Sequence, residues 1–193
     1  MAIYFLRHGE CEANLNGTYA GQRDNSPLTP RGREQALKAA ADFAHIRVDV
    51  IISSPLDRAL DTAKIVAKKL HSLTPIQTDV RLLERDMGEV SGKKKELAPK
   101  SSWIGIPGLE SAAHLQARVL SFFREHATDD ANLLIVSHAG VGVMLEASRQ
   151  GLPAERFYEI PSYPNGKVIR LDLEWLIASK AYGNYMNHGL TYT

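Results

Sequence analysis

Short apolar runs alternate along this chain with longer stretches in which apolar residues recur every three or four positions. Runs of the first kind are typical of buried strands, and they predict strands at residues 3–6, 48–52, 76–80 and 133–136. Residues 168–173 alternate between apolar and polar, which predicts a strand near the edge of a sheet. Stretches of the second kind predict helices at about 30–44, 56–70, 112–123 and 141–149.

The boundaries of two helices carry signals of their own. Thr29 followed by Pro30 is typical of an N-cap and a first helical position, and Ser111 is expected to cap the third helix. Residues 11–27 and 82–108 are polar or rich in glycine and proline, which predicts loops. Strands that alternate with helices in this order indicate an α/β fold, a three-layer sandwich with a mainly parallel central sheet and helices on both faces.

Polar side chains stand where three of the predicted strands end. Arg7 and His8 follow the first strand, Arg58 comes shortly after the second, and Ser137 and His138 follow the strand at 133–136. Because the ends of parallel strands meet at one edge of a sheet, two arginines and two histidines are expected to converge there. Guanidinium groups match the oxygens of a phosphate two bonds at a time. These residues alone leave two interpretations open, a phosphate site and an ordinary set of structural side chains.

Composition narrows the classes of function that this chain can have. The chain has 193 residues, 44% of them apolar, and a formal net charge of +1, which gives no general attraction to nucleic acid or to a membrane surface. Its single cysteine, Cys11, excludes an intramolecular disulfide, and the other histidines have no ligand spacing, so we expect neither a metal nor a cofactor. No apolar stretch is long enough to cross a bilayer and no signal peptide is evident, which predicts a cytoplasmic protein.

Six blocks of the chain, in order, carry a family resemblance. They are Leu6-Arg7-His8-Gly9-Glu10 with Asn14, Pro27-Leu28-Thr29 with Gly32 and Gln35-Ala36, Ser53-Ser54-Pro55-Leu56-Asp57-Arg58-Ala59 with Thr62-Ala63, Leu83-Glu84 with Gly88 and Gly92, Pro107-Gly108-Leu109-Glu110-Ser111, and Val136-Ser137-His138-Ala139-Gly140. Together these blocks resemble the motifs of the histidine phosphatase superfamily, which includes the cofactor-dependent phosphoglycerate mutases. The resemblance implies a phosphoglycerate mutase-like fold, a single domain over residues 1–193, and a short loop-rich lid at about 84–110.

The resemblance also implies catalytic roles. His8 would be the nucleophile that forms a phosphohistidine, and Arg7, Arg58 and His138 would hold the phosphoryl oxygens. Glu84 would donate a proton to the leaving alcohol. The chemistry agrees, because only a neutral imidazole has a lone pair for attack, and an alkoxide leaves poorly without an acid.

Further residues receive implied or alternative roles. Asn14, Gly21 and Ala139 would contact the substrate. Glu10 is a rival to the proposed acid, although we favour a role in orienting Arg7. Cys11 stands where serine or threonine is common in the family, and its thiol is a weaker donor, so we expect a weakened substrate contact, with the thiol inert unless it is exposed.

The lid favours hydrolysis over transfer. Residues 92–107 form a short segment with four lysines, Lys93, Lys94, Lys95 and Lys100, and without the arginines that mutases use to clamp a second anionic group. Trp103, Ile104 and Ile106 either line an apolar wall of the pocket or simply pack the lid onto the domain.

We therefore predict a metal-independent phosphomonoesterase that acts on a small phosphorylated metabolite. Mutase-type phosphoryl transfer, a phosphoprotein phosphatase and a non-catalytic phosphate-binding module are the alternatives. A monomer and a homodimer formed through residues 168–173 both remain open.

Overall fold

The computed structural model describes residues 2–97, 103, 105–127 and 130–177. Lys100, Ile104 and the tail after residue 177 lie outside this part of the chain. The described residues form a sheet whose strands are β1 (Ala2–Arg7), β2 (Val50–Ser53), β3 (Ile76–Thr78), β4 (Asn132–Ser137) and β5 (Val168–Leu171). Their order is β3-β2-β4-β1-β5, and all neighbours pair in parallel except β5, which runs antiparallel to β1 at the edge.

Helices cover both faces of the sheet. They are α1 (Glu12–Leu15), α2 (Pro30–Ala41), α3 (Asp57–Lys69), α4 (Ala112–His126) and α5 (Ala139–Arg149). One buried cluster joins one face of the sheet to α2 and α3, and a second cluster joins the other face to α4 and α5. The predicted three-layer α/β architecture with a mainly parallel sheet is therefore confirmed.

The two-residue period of the strands explains how one sheet serves two layers. In β4, Leu133 and Ile135 belong to the cluster with α4 and α5, whereas Leu134 and Val136 belong to the cluster with α2 and α3. Successive side chains of a strand point to opposite faces, so a strand covered on both faces is apolar throughout. For this reason the strands could be predicted from uninterrupted apolar runs in the sequence.

Several boundaries differ from the prediction. Residues 11–27 contain the short helix α1, which begins where the backbone N–H of Cys11 donates to Asn14 Oδ1 at 3.3 Å. Helix α2 ends at Ala41, and Ala44, expected on its inner face, is exposed. Strand β3 ends at Thr78 because Asp79 accepts a hydrogen bond from the backbone of Arg81 and starts a 3-10 turn.

The predicted helix caps are present. The Thr29 side chain accepts from the backbone N–H of Gly32 at 3.0 Å, and that of Ser111 accepts from His114 at 3.1 Å. Among the described residues, no helix is long and apolar enough to cross a membrane.

Candidate active site

His8 lies just after β1 and is buried. Its backbone N–H donates to the carbonyl of Ser137 at 2.9 Å, which fixes it to the end of β4. Its ring Nδ1 lies 2.6 Å from the carbonyl oxygen of Gly9, and because a carbonyl only accepts, Nδ1 carries the proton. Burial, followed by the charges of Arg58 and Arg7, lowers the pKa of His8 well below its ordinary value. The ring is therefore neutral at neutral pH and has its lone pair on Nε2.

Gly9 connects the loop after β1 to α3. Its backbone N–H donates to Thr62 Oγ1 at 3.1 Å, and that hydroxyl donates to the carbonyl of Arg58 at 2.7 Å. A side chain at position 9 would place its Cβ 2.2 Å from the carbonyl oxygen of Gly32. Only glycine fits this approach, and the approach sets the ring tautomer of His8 through the Gly9 carbonyl.

The guanidinium group of Arg58 is buried at the wall of the site, with 1% of the residue exposed. Its Nη1 donates to the carbonyl of Asp24 at 2.8 Å and its Nη2 to that of Gly21 at 2.7 Å. Gly21 has a φ of +57°, a conformation that favours glycine and that helps turn its carbonyl toward the arginine. Burial lowers the pKa of Arg58, and the nearby carboxylate of Glu84 opposes this effect.

Arg7 is held from the opposite end of the chain. Its Nη1 donates to Ser162 Oγ at 3.0 Å and to the carbonyl of Tyr163. Its Nε is buried and has no hydrogen-bond partner among the described residues. A buried donor without a partner is costly, so this N–H is a natural partner for an anionic ligand.

His138 contacts His8 edge to face, with ring centroids 5.1 Å apart. Its Nε2 lies 2.8 Å from Ser54 Oγ, and that oxygen also accepts from the backbone N–H of Leu56 at 3.3 Å. The Ser54 hydroxyl has no other acceptor among the described residues, so we assign it as the donor to Nε2, which leaves the ring proton on Nδ1. This Nδ1 is buried and has no partner in the described part of the chain.

Glu84 is half-buried where the irregular segment after β3 passes the start of α5. Its Oε1 accepts from the backbone N–H groups of Arg85 at 2.9 Å and Gly140 at 3.0 Å. Its own carbonyl accepts from Gln22 Nε2 at 2.8 Å. These bonds fix the carboxyl group and leave Oε2 as the oxygen with the weaker contact, 3.3 Å from the Gly140 nitrogen.

One cavity of about 340 Å³ joins these groups. Its wall includes seven residues predicted from the sequence, namely Arg7, His8, Asn14, Gly21, Arg58, Glu84 and Ala139. The eighth, His138, is not part of the wall and reaches the site through its contact with His8. Among the described lining residues, four cationic side chains face one carboxylate. Such a site suits an anion that has to be bound and then protonated on one side.

The sequence pattern of the family described as histidine phosphatase superfamily (branch 1) matches residues 3–175. The chain belongs to the histidine phosphatase superfamily. The resemblance seen in the six motif blocks is therefore confirmed.

Some relatives of this chain are named as phosphatases and others as phosphoglycerate mutases. The chain is 31% identical over 199 residues to "Putative phosphoserine phosphatase 2" of Hydrogenobacter thermophilus, with 96% of each chain covered. It is 30% identical over 192 residues to "Probable phosphoglycerate mutase GpmB" of Salmonella choleraesuis, covering 91% of this chain and 88% of that one. Its fold is similar to that of the α-ribazole phosphatase from Shigella flexneri, with a TM-score of 0.77, 28% identity, and 91% and 92% of the chains covered.

Asn165 joins the two ends of the chain at the site and was not found from the sequence. Its Nδ2 donates to the backbone carbonyl of His8 and to Asn14 Oδ1, both at 3.0 Å. The Asn165-Gly166 pair carries a turn signal. Nothing in that signal shows that the turn lies against residues more than 150 positions earlier.

The contacts of Arg118 were also not predicted, because the sequence of a helix does not show which partners an arginine on it will have. Its guanidinium donates to the carbonyls of Arg81 and Leu83, both at 2.7 Å, and of Glu84 at 3.1 Å. The same group is paired with the buried Glu110 at 2.7 Å. Arg118 on α4, held by the ion pair with Glu110 just before the helix, therefore clamps the segment that carries the proposed acid.

Two expectations for the signature region are wrong. The Glu10 carboxylate accepts from Thr29 Oγ1 at 2.8 Å and pairs with Arg31 at 3.6 Å, so it contacts the start of α2 and does not orient Arg7. Cys11 is buried, and its thiol donates to Asn14 Oδ1 at 3.3 Å without reaching the cavity wall. The serine-to-cysteine departure therefore changes a contact inside the protein.

Some residues of the lid line the cavity, and others pack against the protein without reaching it. Trp103 lines the cavity and also packs with Ile106 on the cluster of Met87 and Val90, whereas Ile106 does not reach the wall. Of the lysines of the lid within the described residues, Lys95 alone lines the cavity. Trp103 therefore both lines the wall of the cavity and packs the lid onto the domain, the two roles that the sequence had left as alternatives.

Gly140→Ala is expected to lower kcat/KM for alkyl phosphates by about ten- to a hundredfold while leaving the protein folded. A Cβ at this position would lie 2.3 Å from Glu84 Oε1, so the carboxyl group has to move. Alanine has the higher helix propensity, which offsets part of the cost of moving the carboxyl group, so the protein should stay folded. The measurements are steady-state kinetics and thermal unfolding.

The control is a double-mutant cycle with Glu84→Ala. Once the carboxyl group is gone, Gly140→Ala should change kcat/KM by no more than about twofold, because the two substitutions act through the same contact. Additive losses in the cycle would contradict the assignment.

Stability is expected to fall as pH drops below about 6.5, and His138 contributes part of the fall. Burial holds the pKa of His138 well below its ordinary 6.5. Below 6.5 the unfolded chain therefore takes up a proton on this residue and the folded chain does not. Each such histidine lowers the free energy of unfolding by about 1.4 kcal/mol per pH unit until the pH reaches its folded pKa, and has no effect above about 7.5.

Denaturant unfolding at several values between pH 7.5 and 5 checks this expectation. The wild-type slope should exceed that of His138→Gln by about 1.4 kcal/mol per pH unit at the acidic end. His45→Gln, at an exposed position, is the matched control and should follow the wild-type slope. Parallel curves for wild type and His138→Gln would show that His138 is protonated when folded.

Proposed function

We propose that this protein is a metal-independent phosphomonoesterase that acts on a small phosphorylated metabolite through a phosphohistidine at His8. The observation that carries the proposal is the Nδ1 contact of His8 with the Gly9 carbonyl at 2.6 Å. It leaves a neutral Nε2 in a cavity whose wall also carries Arg7, Arg58 and Glu84. A nucleophile, two fixed cations and an acid are the parts that phosphoryl transfer requires.

In the first step, the lone pair of His8 Nε2 attacks phosphorus and the bond from phosphorus to the ester oxygen breaks. Protonated Glu84 gives its proton to that oxygen, so the product leaves as a neutral alcohol. The proton on His8 Nδ1 stays on the ring and is held by the Gly9 carbonyl. A positioned acid of this kind contributes on the order of 10²–10⁴-fold.

In the second step, a water molecule replaces the alcohol. The Glu84 carboxylate takes a proton from the water as its oxygen attacks phosphorus. The nitrogen–phosphorus bond breaks, its electron pair returns to Nε2, and inorganic phosphate is released. Both protein groups then have their starting protonation states.

Fixed cations and donors stabilise the charge that builds up on the phosphoryl oxygens. Arg58 is locked by two carbonyls, and Arg7 by Ser162 and Tyr163, so neither has to reorganise during the reaction. Preorganised groups of this kind supply a large share of catalysis in sites that exclude water. The Nδ1–H of His138 is a further donor in this scheme.

The proposed chemistry needs no metal ion. The two arginines would carry the charge that a divalent cation carries in other phosphoryl-transfer sites. Among the described residues no group of three His, Cys, Asp or Glu side chains could hold a metal ion. With its one buried cysteine, the chain suits the reducing cytoplasm that we infer as its location.

Mutase-type transfer is the second candidate, and one observation favours it. Arg85 and Lys95 line the same cavity as Arg7 and Arg58, so a second anionic group has cations to meet. A mutase has to keep water from its phosphoenzyme, and the short lid favours hydrolysis instead. Bisphosphate-dependent isomerisation of a phosphoglycerate would support the mutase.

The test is a panel of phosphorylated metabolites, p-nitrophenyl phosphate and a phosphoprotein, assayed for released phosphate with EDTA present, together with calorimetric binding of inorganic phosphate. We expect hydrolysis in EDTA at mildly acidic to neutral pH. Loss of activity on chelation would contradict metal independence, and activity confined to phosphoproteins would favour the phosphoprotein phosphatase. Phosphate binding without turnover on any ester would leave a binding module.

A further inference from the structure

We propose that the outer part of the active-site cavity is a subsite for an aromatic or other flat apolar group, so that the preferred substrates are phosphate monoesters of alcohols that carry such a group. This inference rests on the proposed phosphatase function and adds the class of leaving group to it.

A continuous series of ring contacts forms this subsite. The rings of Tyr19 and Trp103 meet edge to face with centroids 5.4 Å apart. The Arg85 guanidinium lies 5.2 Å from the centroid of Trp103 and 5.3 Å from that of Phe157. Phe157 in turn lies 6.4 Å from Tyr158. All five side chains line the cavity that holds His8, so the series faces the reaction site.

The position of Glu84 connects this series to the chemistry. The acid has to lie next to the ester oxygen of the leaving group, whereas His8, Arg7 and Arg58 hold the phosphoryl group. Arg85 directly follows Glu84 in the chain and stands between two of the rings. A leaving group whose oxygen meets Glu84 therefore extends along the side of the cavity that the rings cover.

The walls of the subsite are fixed before a ligand arrives. Met87 and Phe157 are each 5% exposed, and Trp103 and Tyr19 pack on the Met87 cluster. Arg85 is buried, and its Nε donates to the carbonyl of Glu110 at 2.8 Å. Because little ordering remains to be done on binding, apolar contact at these walls converts efficiently into affinity.

The chemistry of the walls also disfavours other leaving groups. A carbohydrate presents only a small apolar face to such rings, so it gains less buried apolar contact from these walls than a flat apolar group does. An amino-acid ester would bring an ammonium group toward Arg85 and Lys95, which are both cationic. An aromatic group meets neither difficulty and adds ring contacts and cation–π attraction to the buried area. The cavity of about 340 Å³ is at the lower end of small-molecule sites, so one ring of this kind is a suitable size.

The experiment compares the binding of two phosphonates by calorimetry, 2-phenylethylphosphonate and ethylphosphonate. Their carbon–phosphorus bond is not hydrolysed, so the comparison does not depend on turnover. We expect the phenyl compound to bind wild-type protein at least about thirtyfold more tightly. Trp103→Ala should reduce this preference about tenfold and leave the affinity for ethylphosphonate within about twofold. Trp103→Phe should keep most of the preference.

Two further variants test whether the preference depends on the subsite. Tyr19→Leu changes the neighbouring wall and should also reduce the preference, while Leu97→Ala, an exposed lid residue outside the cavity wall, should not. Thermal unfolding checks that each variant is folded. A wild-type preference below about threefold, or one unchanged in both Trp103→Ala and Tyr19→Leu, would overturn the subsite. A protein that binds the phenyl compound selectively but hydrolyses no ester would instead overturn the proposed function alone.

Discussion

Replacing His8 by glutamine is expected to lower kcat for every phosphate monoester by about 10⁴-fold or more and to abolish the phosphoenzyme. Glutamine offers no nucleophilic nitrogen, because the lone pair of its amide nitrogen is delocalised into the carbonyl, and removing a covalent nucleophile costs rates of this order. Arg7 and Arg58 keep their partners, because neither guanidinium bonds to the His8 ring. The variant should therefore still bind inorganic phosphate, with a Kd within about tenfold of wild type.

The measurement is a rapid mix of enzyme and excess substrate, quenched in alkali because phosphohistidine is labile in acid, followed by intact-mass analysis. Wild-type protein should gain the mass of one phosphoryl group, and His8→Gln should gain none. His45→Gln changes an exposed histidine and should behave as wild type. If His8→Gln kept more than about 1% of the turnover, the nucleophile would have to be another group.

Glu84→Gln is expected to separate substrates by their leaving groups. For alkyl phosphates kcat/KM should fall by about 10²–10⁴-fold, whereas for p-nitrophenyl phosphate it should fall by no more than about tenfold. The alkoxide needs a proton to leave, and p-nitrophenolate does not. The amide oxygen of glutamine can still accept from Arg85 and Gly140, so the loss reports on the proton and not on the position.

Phosphate affinity provides an independent check on this variant. Burial lowers the pKa of Arg7 and of Arg58, and the nearby Glu84 carboxylate opposes that fall, so in its ionised form it also repels a phosphate dianion bound between the two arginines. Glu84→Gln should thus bind inorganic phosphate at least as tightly as wild type. Glu89→Gln, an exposed neighbour, is the matched control. Equal losses on both kinds of ester would contradict Glu84 as the acid.

The sequence could predict those parts of the site that depend on short stretches of chain. Strands buried on both faces have to be apolar, so β1 and β4 were visible as apolar runs that end in Arg7 and His138. Parallel pairing of β1 with β4 then brings the two strand ends side by side, with Arg7 opposite Ser137. The roles of His8, Arg58 and Glu84 came from the family resemblance, and the structure places all three at one cavity.

The parts that were missed depend on contacts between distant residues. The clamp of Arg118 on the Glu84 segment joins α4 to a loop more than 30 positions earlier, and a helical arginine has the same sequence signal whether it is clamped or solvated. Glu10 was expected to orient Arg7, with a role as a rival acid left as the alternative. It turns instead to Thr29 and Arg31, because the start of α2 lies against the signature loop.

The site is completed by residues from both ends of the described chain, and this has a consequence for its biosynthesis. Arg7 obtains its partners from Ser162 and Tyr163, the carbonyl of His8 is bonded by Asn165, and β1 pairs with β4 and β5. During translation β1 emerges before the other strands, yet it cannot pair with β4 until residue 137 has emerged, and its contacts with Ser162, Tyr163, Asn165 and β5 need still later residues. The nascent chain therefore carries an exposed apolar first strand for most of its synthesis. Acquisition of phosphate affinity would mark the moment when the chain closes on itself, so that a phosphate analogue could report folding on stalled ribosomes.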